Sequence, residues 1–134
     1  MTRRRREPQW LSRTVIDAIH SDQVREHGGL AGLRDENGLE AALARPRQKW
    51  HYNAAIDLPA LAAAYAFGLI TNHPYRDGNK RIGFLAMVTF LEMHGLGFTA
   101  TDAEVVAEIL AVASGIRSED DLTAWVRQHS SKYS

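Results

Sequence analysis

The chain has 134 residues, of which 45% are hydrophobic and 24% charged, and its formal net charge is zero, as expected for one soluble globular domain. It contains no cysteine, which excludes disulfides and thiolate metal sites, and its balanced charge gives no reason to expect general binding to polyanions. The longest apolar stretch, residues 58–70, is too short to span a bilayer, and no signal peptide is evident, so we expect a cytoplasmic protein without membrane contact.

A basic run, Arg3–Arg6, opens the chain. Because chain termini are usually loose, residues 1–9 are interpreted as a disordered basic tail and residues 10–134 as a single domain. Four arginines could also contact nucleic acid, but no later segment is rich in base-reading side chains, so a DNA-binding helical protein is the least favoured alternative.

Helical spacing dominates the first third of the domain. The first helix is predicted to end near Glu26 and to carry one apolar stripe made of Leu11, Val15, Ala18 and Ile19. A glycine-rich connection, residues 27–33, follows it. Asp35 can cap a second, short helix that runs to about Ala44 and is stopped by Pro46. Residues 46–57 have no clean period and are interpreted as a surface loop, with room for a short extended piece at Trp50–Tyr52.

Two strongly apolar segments come next. The first, residues 61–70, is preceded by Pro59 as a helix start, and the second, residues 82–93, is ended by Gly95 as a left-handed cap. A helix that is apolar on every face must be buried on all sides. The sequence therefore predicts two buried central helices on either side of one polar loop.

Two more helices complete the chain. Thr101 and Glu104 form a capping box, and Ser118 can cap the last helix. No two segments show the alternation of apolar and polar residues that is typical of paired β-strands. The predicted fold class is all-α, a compact bundle of about six helices with at most a very short β flap.

The polar loop, His73–Arg81, combines groups suited to phosphate chemistry. It ends where a buried helix begins, so the free N–H groups and the positive end of the helix dipole favour an anion there. Lys80 and Arg81 add positive charge, and Gly78 permits close approach of a ligand to the backbone. Asp77 is a hard oxygen ligand suited to magnesium, and His73 can accept a hydroxyl proton near neutral pH. Each residue alone is more often a turn, cap or surface residue, and Tyr75 and Arg76 are interpreted as packing or surface residues.

The loop reads His-Pro-Tyr-Arg-Asp-Gly-Asn-Lys-Arg. It resembles the signature of Fic proteins, His-(Pro)-Phe-x-(Asp/Glu)-Gly-Asn-(Gly/Lys)-Arg, in the variant typical of Doc (death-on-curing) toxins. The similarity extends to residues 27–35 and 43–46 before the loop and to residues 90–95 after it, and thus over most of the chain.

This resemblance implies a helical Fic/Doc domain that uses ATP and Mg²⁺. It assigns His73 as the general base and Asp77 as the magnesium ligand. It also implies that the phosphates are bound by Gly78, Asn79, Lys80 and Arg81. A flap that aligns the target peptide would consist of Trp50, His51, Tyr52 and Asn53.

Departures from the AMP-transferring Fic enzymes bear on the reaction. Those enzymes usually have Gly in place of Lys80 and a second Arg in place of Phe84, whereas Doc toxins are protein kinases that phosphorylate a threonine of the translation elongation factor EF-Tu. Doc has an Arg where this chain has Thr71. Transfer of AMP to a protein hydroxyl and a catalytically silent binding module remain the alternatives to a kinase.

An inhibitory partner is also implied. Some Fic proteins carry a (Ser/Thr)-x-x-x-Glu-(Gly/Asn) helix that inhibits them in cis. Glu36-Asn37 is the one Glu followed by Gly or Asn here, and Gly32 stands where the Ser or Thr would be, so the motif is absent. The resemblance therefore implies a separate, Phd-like antitoxin that inhibits in trans, in addition to a protein substrate.

Overall fold

A computed structural model describes residues 6–132 as six helices and one small antiparallel sheet. In chain order the elements are α1 (Arg13–His27), α2 (Glu36–Tyr52), α3 (Leu58–Asn72), α4 (Asn79–Met93), β1 (Leu96–Phe98), α5 (Asp102–Ala113), α6 (Glu119–His129) and β2 (Ser130–Lys132). The predicted all-α class and the number of helices are confirmed. Residues 1–5, which hold most of the basic run, lie outside the described residues, so the loose tail stays a prediction. Among the helices of residues 6–132, none combines the length and the hydropathy that a membrane span requires.

Side-chain caps fix where most helices begin. Asp35 accepts a hydrogen bond from the backbone N–H of Gly38 at the start of α2, and Asp57 does the same for Ala60 at the start of α3. Both capping boxes of the C-terminal helices are formed, Thr101 with Glu104 and Ser118 with Asp121. Gly95 follows α4 with φ 80°, as its predicted role in ending that helix requires.

Helix α3 is the centre of the core, and nearly all its residues from Leu61 to Ile70 are buried. It packs against α2, α4 and α6. Glycine permits the closest of these contacts, because a Cβ added to Gly68 would lie 3.1 Å from Cα of Ala42 in α2. On the opposite side a Cβ on Gly83 of α4 would lie 2.7 Å from Cγ1 of Ile70. The two helices that flank the polar loop are thereby held at short range.

The prediction that α4 is buried on all sides is wrong. Ile82, Ala86 and Phe90 are buried, but Phe84 and Val88 on the other side are only half-buried. The reason is that α3 covers one side of α4, whereas the other side faces β1 and an open cleft next to α5.

The predicted apolar stripe of α1 is also wrong in part. Val15 is 41% exposed and Ala18 is exposed, while Ile16 and His20 are buried. A pattern of apolar residues cannot include His20, whose burial depends on a ring stack and a hydrogen bond with the polar loop.

Pro46 does not stop α2, which continues to Tyr52. Proline lacks the N–H that would bond to the carbonyl of Ala42, but Pro46 is buried within the helix, and the packing of α2 against α3 outweighs the lost bond. Trp50–Tyr52 is therefore the last helical turn and not an extended piece. The short sheet lies elsewhere, where β1 pairs with β2 in antiparallel register, Gly97 opposite Ser131.

Glu119, the first residue of α6, ties that helix to α2. Its buried carboxylate accepts hydrogen bonds from Arg45 and lies 2.6 Å from Nζ of Lys49. Burial opposes the negative charge, but the two cations outweigh it and hold the pKa of Glu119 below its usual value. A carboxyl group whose pKa is lowered by folding stabilises the protein at neutral pH, and this contribution is lost as the pH falls through the folded-state pKa.

We therefore expect Glu119→Gln to lower the free energy of unfolding by about 2 kcal/mol at neutral pH. The difference from wild type should shrink as the pH is lowered through the pKa of Glu119, because the wild-type carboxylate then becomes neutral as well. Urea denaturation at neutral and acidic pH measures both values. Glu40→Gln, at an exposed pair with Arg13, is the control and should change stability by less than about 1 kcal/mol. An equal loss for Glu119→Gln at both pH values would contradict the assignment.

Candidate active site

The polar loop begins with a residue in the left-handed region, and a second such residue stands directly before α4, whose first turn is formed by the last three residues of the loop. His73 is the C-cap of α3 with φ 51° and ψ 53°, and Gly78 is the N-cap of α4 with φ 76°. Histidine is one of the few residues with a side chain that is found in this region with some frequency. The two left-handed residues reverse the chain over a short distance, so the loop is a tight turn between two packed helices.

The glycine-rich connection and the two residues that follow it lie alongside this loop and fix its first half. The backbone N–H groups of Arg34 and Asp35 donate to the carbonyl of Pro74 at 2.8 and 2.9 Å. The Arg34 side chain donates to the carbonyls of Asn72 and His73 at 3.0 and 2.7 Å, two of the carbonyl groups that the end of α3 leaves unpaired. The exposed His73 side chain is thus carried by a backbone that is held from outside the loop.

Asn79 closes the loop on itself. It is 3% exposed, and its side-chain amide both accepts from the backbone N–H of Tyr75 and donates to the carbonyl of Tyr75, each at 2.9 Å. The side chain is therefore used within the protein. What Asn79 can offer to a phosphate is its backbone N–H, in the first turn of α4, where helix geometry provides no internal acceptor.

Tyr75 anchors the loop to α1, as expected of a packing residue. Its hydroxyl donates to Oδ1 of Asp17 at 2.6 Å, and its ring stacks on His20 with the ring centroids 3.7 Å apart. Burial, followed by the contact with Asp17, raises the pKa of Tyr75 far above its usual value. A tyrosine held neutral in this way does not act as a base at physiological pH, which agrees with a structural role.

Asp77 lies against the glycine-rich connection. Its Oδ2 accepts from the backbone N–H of Leu30 at 3.3 Å, and its Oδ1 from the N–H of Gly78 at 3.0 Å. A Cβ added to Gly29, which has φ +107°, would lie 2.8 Å from Oδ2. A side chain at position 29 would therefore displace the carboxylate, so the glycine at this position makes room for Asp77.

All six predicted catalytic and phosphate-binding residues line one cleft of about 400 Å³. They are His73, Asp77, Gly78, Asn79, Lys80 and Arg81. Lys80 and Arg81 are exposed, and within residues 6–132 neither has an acidic partner, so both charges are available to an anion. The predicted flap residues, Trp50, His51, Tyr52 and Asn53, are not among the residues that line this cleft, and their role in aligning a target peptide stays a prediction.

Sequence reasoning missed the opposite wall of the cleft. It is apolar and is formed by Phe84 of α4 with four residues of α5, namely Val105, Val106, Ile109 and Leu110. Val106 and Leu110 are 57% and 51% exposed although they are one helical turn apart on an apolar stripe. The apolar stripe of α5 is wider than the part of the helix that packs in the core, and this excess of apolar residues could have indicated a second apolar surface.

Comparison with known proteins agrees with this arrangement. A sequence profile of the Fic/DOC family matches residues 10–91, which is more than half of the chain and includes the whole polar loop. The chain belongs to the Fic/DOC family.

Two relatives of this Fic/DOC protein carry functional names. It is 29% identical over 86 residues to the "Protein kinase doc" of Escherichia phage P1, a match that covers 64% of this chain and 68% of the phage protein. It is 39% identical over 74 residues to the "Toxin Doc" of Mycolicibacterium smegmatis, which covers 54% of this chain and 57% of that protein. The family profile, which spans residues 10–91, includes the site.

The Fic/DOC site could take Mg²⁺ only together with a ligand that brings further oxygen atoms. Residues 6–132 contain no group of three or more acidic or histidine side chains arranged to hold a metal ion. Among the described residues that line the cleft, Asp77 is the one acidic side chain. It is exposed, and its carboxylate oxygens accept two backbone hydrogen bonds, from Leu30 and Gly78. One carboxylate plus phosphate oxygens and water is a common set of ligands for Mg²⁺, so the residues present fit a metal that arrives with a nucleotide.

Proposed function

We propose that this protein is the toxin of a toxin–antitoxin module, and that it transfers a phosphate from ATP to a hydroxyl group of a translation factor, with a threonine of EF-Tu as the expected target. The observation that carries the proposal is that one cleft contains an imidazole, a carboxylate and a helix N-terminus with two cations that have no acidic partner within residues 6–132. These are the groups that phosphoryl transfer requires, since most of its catalysis is positioning and charge stabilisation.

Each group has one task in the reaction. His73 accepts the proton of the target hydroxyl as that oxygen attacks the γ-phosphorus, so an O–P bond forms to the target and the bond to ADP breaks. Asp77 would hold Mg²⁺, which neutralises phosphate charge when bound. Lys80, Arg81 and the first-turn N–H groups of α4 stabilise the phosphate oxygens. The apolar wall on α5 offers a surface to the nucleoside.

Two residues favour phosphate transfer over AMP transfer. Lys80 places a cationic side chain at the start of the helix. AMP-transferring Fic enzymes usually have a glycine at this position, which leaves that space open. Phe84, one helical turn after Lys80, gives the cleft an apolar wall in place of the arginine that holds the triphosphate in those enzymes. The name of the phage relative, a protein kinase, supports the same choice.

A separate antitoxin is the proposed regulator. The sequence lacks the inhibitory helix that acts in cis in some Fic proteins, and the mycobacterial relative is named as a toxin. A Phd-like protein that covers the cleft in trans would restrain the enzyme until it is needed. The cell that carries this toxin would then depend on a balance between the two proteins.

The proposal can be tested by mass spectrometry of a mixture of purified translation factors after incubation with this protein, ATP and Mg²⁺. We expect one threonine of EF-Tu to gain the mass of a phosphate. A gain of the mass of AMP would replace the proposed reaction by AMP transfer, and a mixture left unmodified by a folded protein would favour a binding module.

The position of Asp77 gives a further prediction. Gly29→Ala should lower the transfer rate by at least about 10-fold, because the new methyl group lies 2.8 Å from Oδ2 of Asp77 and forces the carboxylate to move. The rate of phosphate transfer at saturating ATP is the measurement. Gly28→Ala is a matched control, since Gly28 also has a positive φ, +79°, but a Cβ there would meet no atom of residues 6–132 within 4 Å. If the two variants lose the same activity, backbone strain and not the carboxylate explains the loss.

A further inference from the structure

His20 of α1 is buried directly behind the polar loop. It is 4% exposed, and its Nε2 lies 2.8 Å from the backbone carbonyl oxygen of Asp77. Because a carbonyl oxygen can only accept, Nε2 carries a proton and donates it. The ring is held flat against Tyr75, with an angle of 10° between the two ring planes.

The ring stack connects His20, through Tyr75, to a chain of hydrogen bonds on α1. Tyr75 is bonded to Asp17, and Oδ2 of Asp17 lies 3.2 Å from Nε of Arg13, one turn earlier in α1. Arg13 also bonds to Glu40 of α2 at 2.7 Å. The hydrogen bond from His20 therefore ties the backbone of Asp77 to α1, which is neither of the two helices that the loop joins.

The peptide group between Asp77 and Gly78 is the point at which this contact acts. A peptide is planar, so fixing its carbonyl oxygen also fixes the N–H of Gly78 and the Cα from which the Asp77 carboxylate projects. The N–H of Gly78 donates to Oδ1 of Asp77, and the carbonyl of Gly78 accepts from Ile82 in the first bond of α4. The single hydrogen bond from His20 thus helps to orient both the Asp77 carboxylate and the N-terminus of α4.

We propose that His20 is a positioning residue for catalysis, which orients the Asp77–Gly78 peptide so that the carboxylate and the start of α4 face the same phosphate. The inference rests on the proposed function for the roles of Asp77 and α4, but the contact itself is a property of the protein without ligands. Loss of an outer partner of a metal ligand lowers activity by about 10–100-fold in other enzymes, and we expect an effect of that size here.

Three variants separate positioning from packing. His20→Phe keeps the ring stack and removes the donor, whereas His20→Gln keeps an N–H donor close to the position of Nε2. Ile16→Val is the matched control, because Ile16 is fully buried one turn earlier on the same helix and loses only a methylene group. Thermal unfolding measures how much stability each variant loses, so that a loss of activity can be distinguished from a loss of stability.

Two readouts are needed, and the first requires no activity. Hydrogen exchange of the Tyr75 and Ile82 amides reports whether the loop opens, since these amides bond to Asn79 and Gly78. The second is kcat and KM for ATP in phosphate transfer. We expect both amides to exchange faster in His20→Phe than in Ile16→Val, and kcat of His20→Phe to fall by about 10–100-fold. In His20→Gln, most of the wild-type protection from exchange and most of the wild-type kcat should return.

The inference is overturned if His20→Phe and Ile16→Val show the same exchange and the same kcat, for then His20 only packs. It is equally overturned if His20→Gln behaves like His20→Phe in both readouts. Should the wild-type protein transfer no phosphate, the proposed function fails, and the exchange rates alone decide whether His20 holds the loop.

Discussion

Removal of His73 is expected to lower the rate of phosphate transfer by about 10²–10⁴-fold, the contribution of a general base. His73→Ala removes the imidazole but places alanine at φ 51°, where a residue with a Cβ is strained. His73→Asn is the better variant, because asparagine tolerates the left-handed region and has no basic nitrogen. Both variants should also relieve any growth arrest that the wild-type protein causes.

The fold should survive both substitutions, because the His73 side chain is exposed and the loop is held by backbone contacts to Arg34 and Asn79. Thr71→Ala, on the last turn of α3, is the matched control and should keep its activity, since the Thr71 hydroxyl donates to the carbonyl of Phe67 within its own helix. Steady-state transfer rates and thermal unfolding measure the two properties. Full activity of His73→Asn would exclude His73 as the base.

Asp77→Asn should abolish most of the activity for a different reason. It keeps the size of the side chain and an oxygen for the Leu30 N–H, but it removes the charge that Mg²⁺ prefers. Loss of an outer partner of a metal ligand typically costs about 10–100-fold, and loss of the ligand itself should cost at least as much. The remaining activity should depend less on the Mg²⁺ concentration.

A titration of the transfer rate with Mg²⁺ tests this prediction. Asp120→Asn, an exposed acid in the first turn of α6, is the control for a change of one negative charge and should follow the wild-type curve. If the Mg²⁺ dependence of Asp77→Asn equals that of the wild type, Asp77 is not the metal ligand, and the main argument for the proposed geometry is lost.

Local signals explain why so much of the fold could be predicted from the sequence. The caps at Asp35, Thr101 and Ser118 act over three residues, so their residue types alone indicate where helices begin. Pro46 misled the prediction because its cost is local whereas its compensation, burial of α2 against α3, is tertiary. The pairing of β1 with β2 joins residues far apart in sequence, and three residues in each strand are too few for a recognisable alternation.

In the candidate site, too, local features could be predicted from the sequence and long-range contacts could not. The residues within the loop were predicted because they are consecutive and their chemistry is complementary. His20, Gly29 and Arg34 were not, because each acts on the loop from a distant part of the sequence through a contact that only the folded chain forms. The same holds for Val106 and Leu110, whose apolar character was evident although their position on the cleft was not.

The most direct test of the proposed function is to follow the label from ATP carrying a radioactive phosphorus at either the α or the γ position. Purified EF-Tu is incubated with each nucleotide, Mg²⁺ and the wild-type protein, with His73→Asn as the inactive control. The proposed reaction predicts that EF-Tu acquires the γ label only, and none in the presence of the variant. Appearance of the α label on EF-Tu would contradict it, because the nucleotide would then bind with its α-phosphate next to His73.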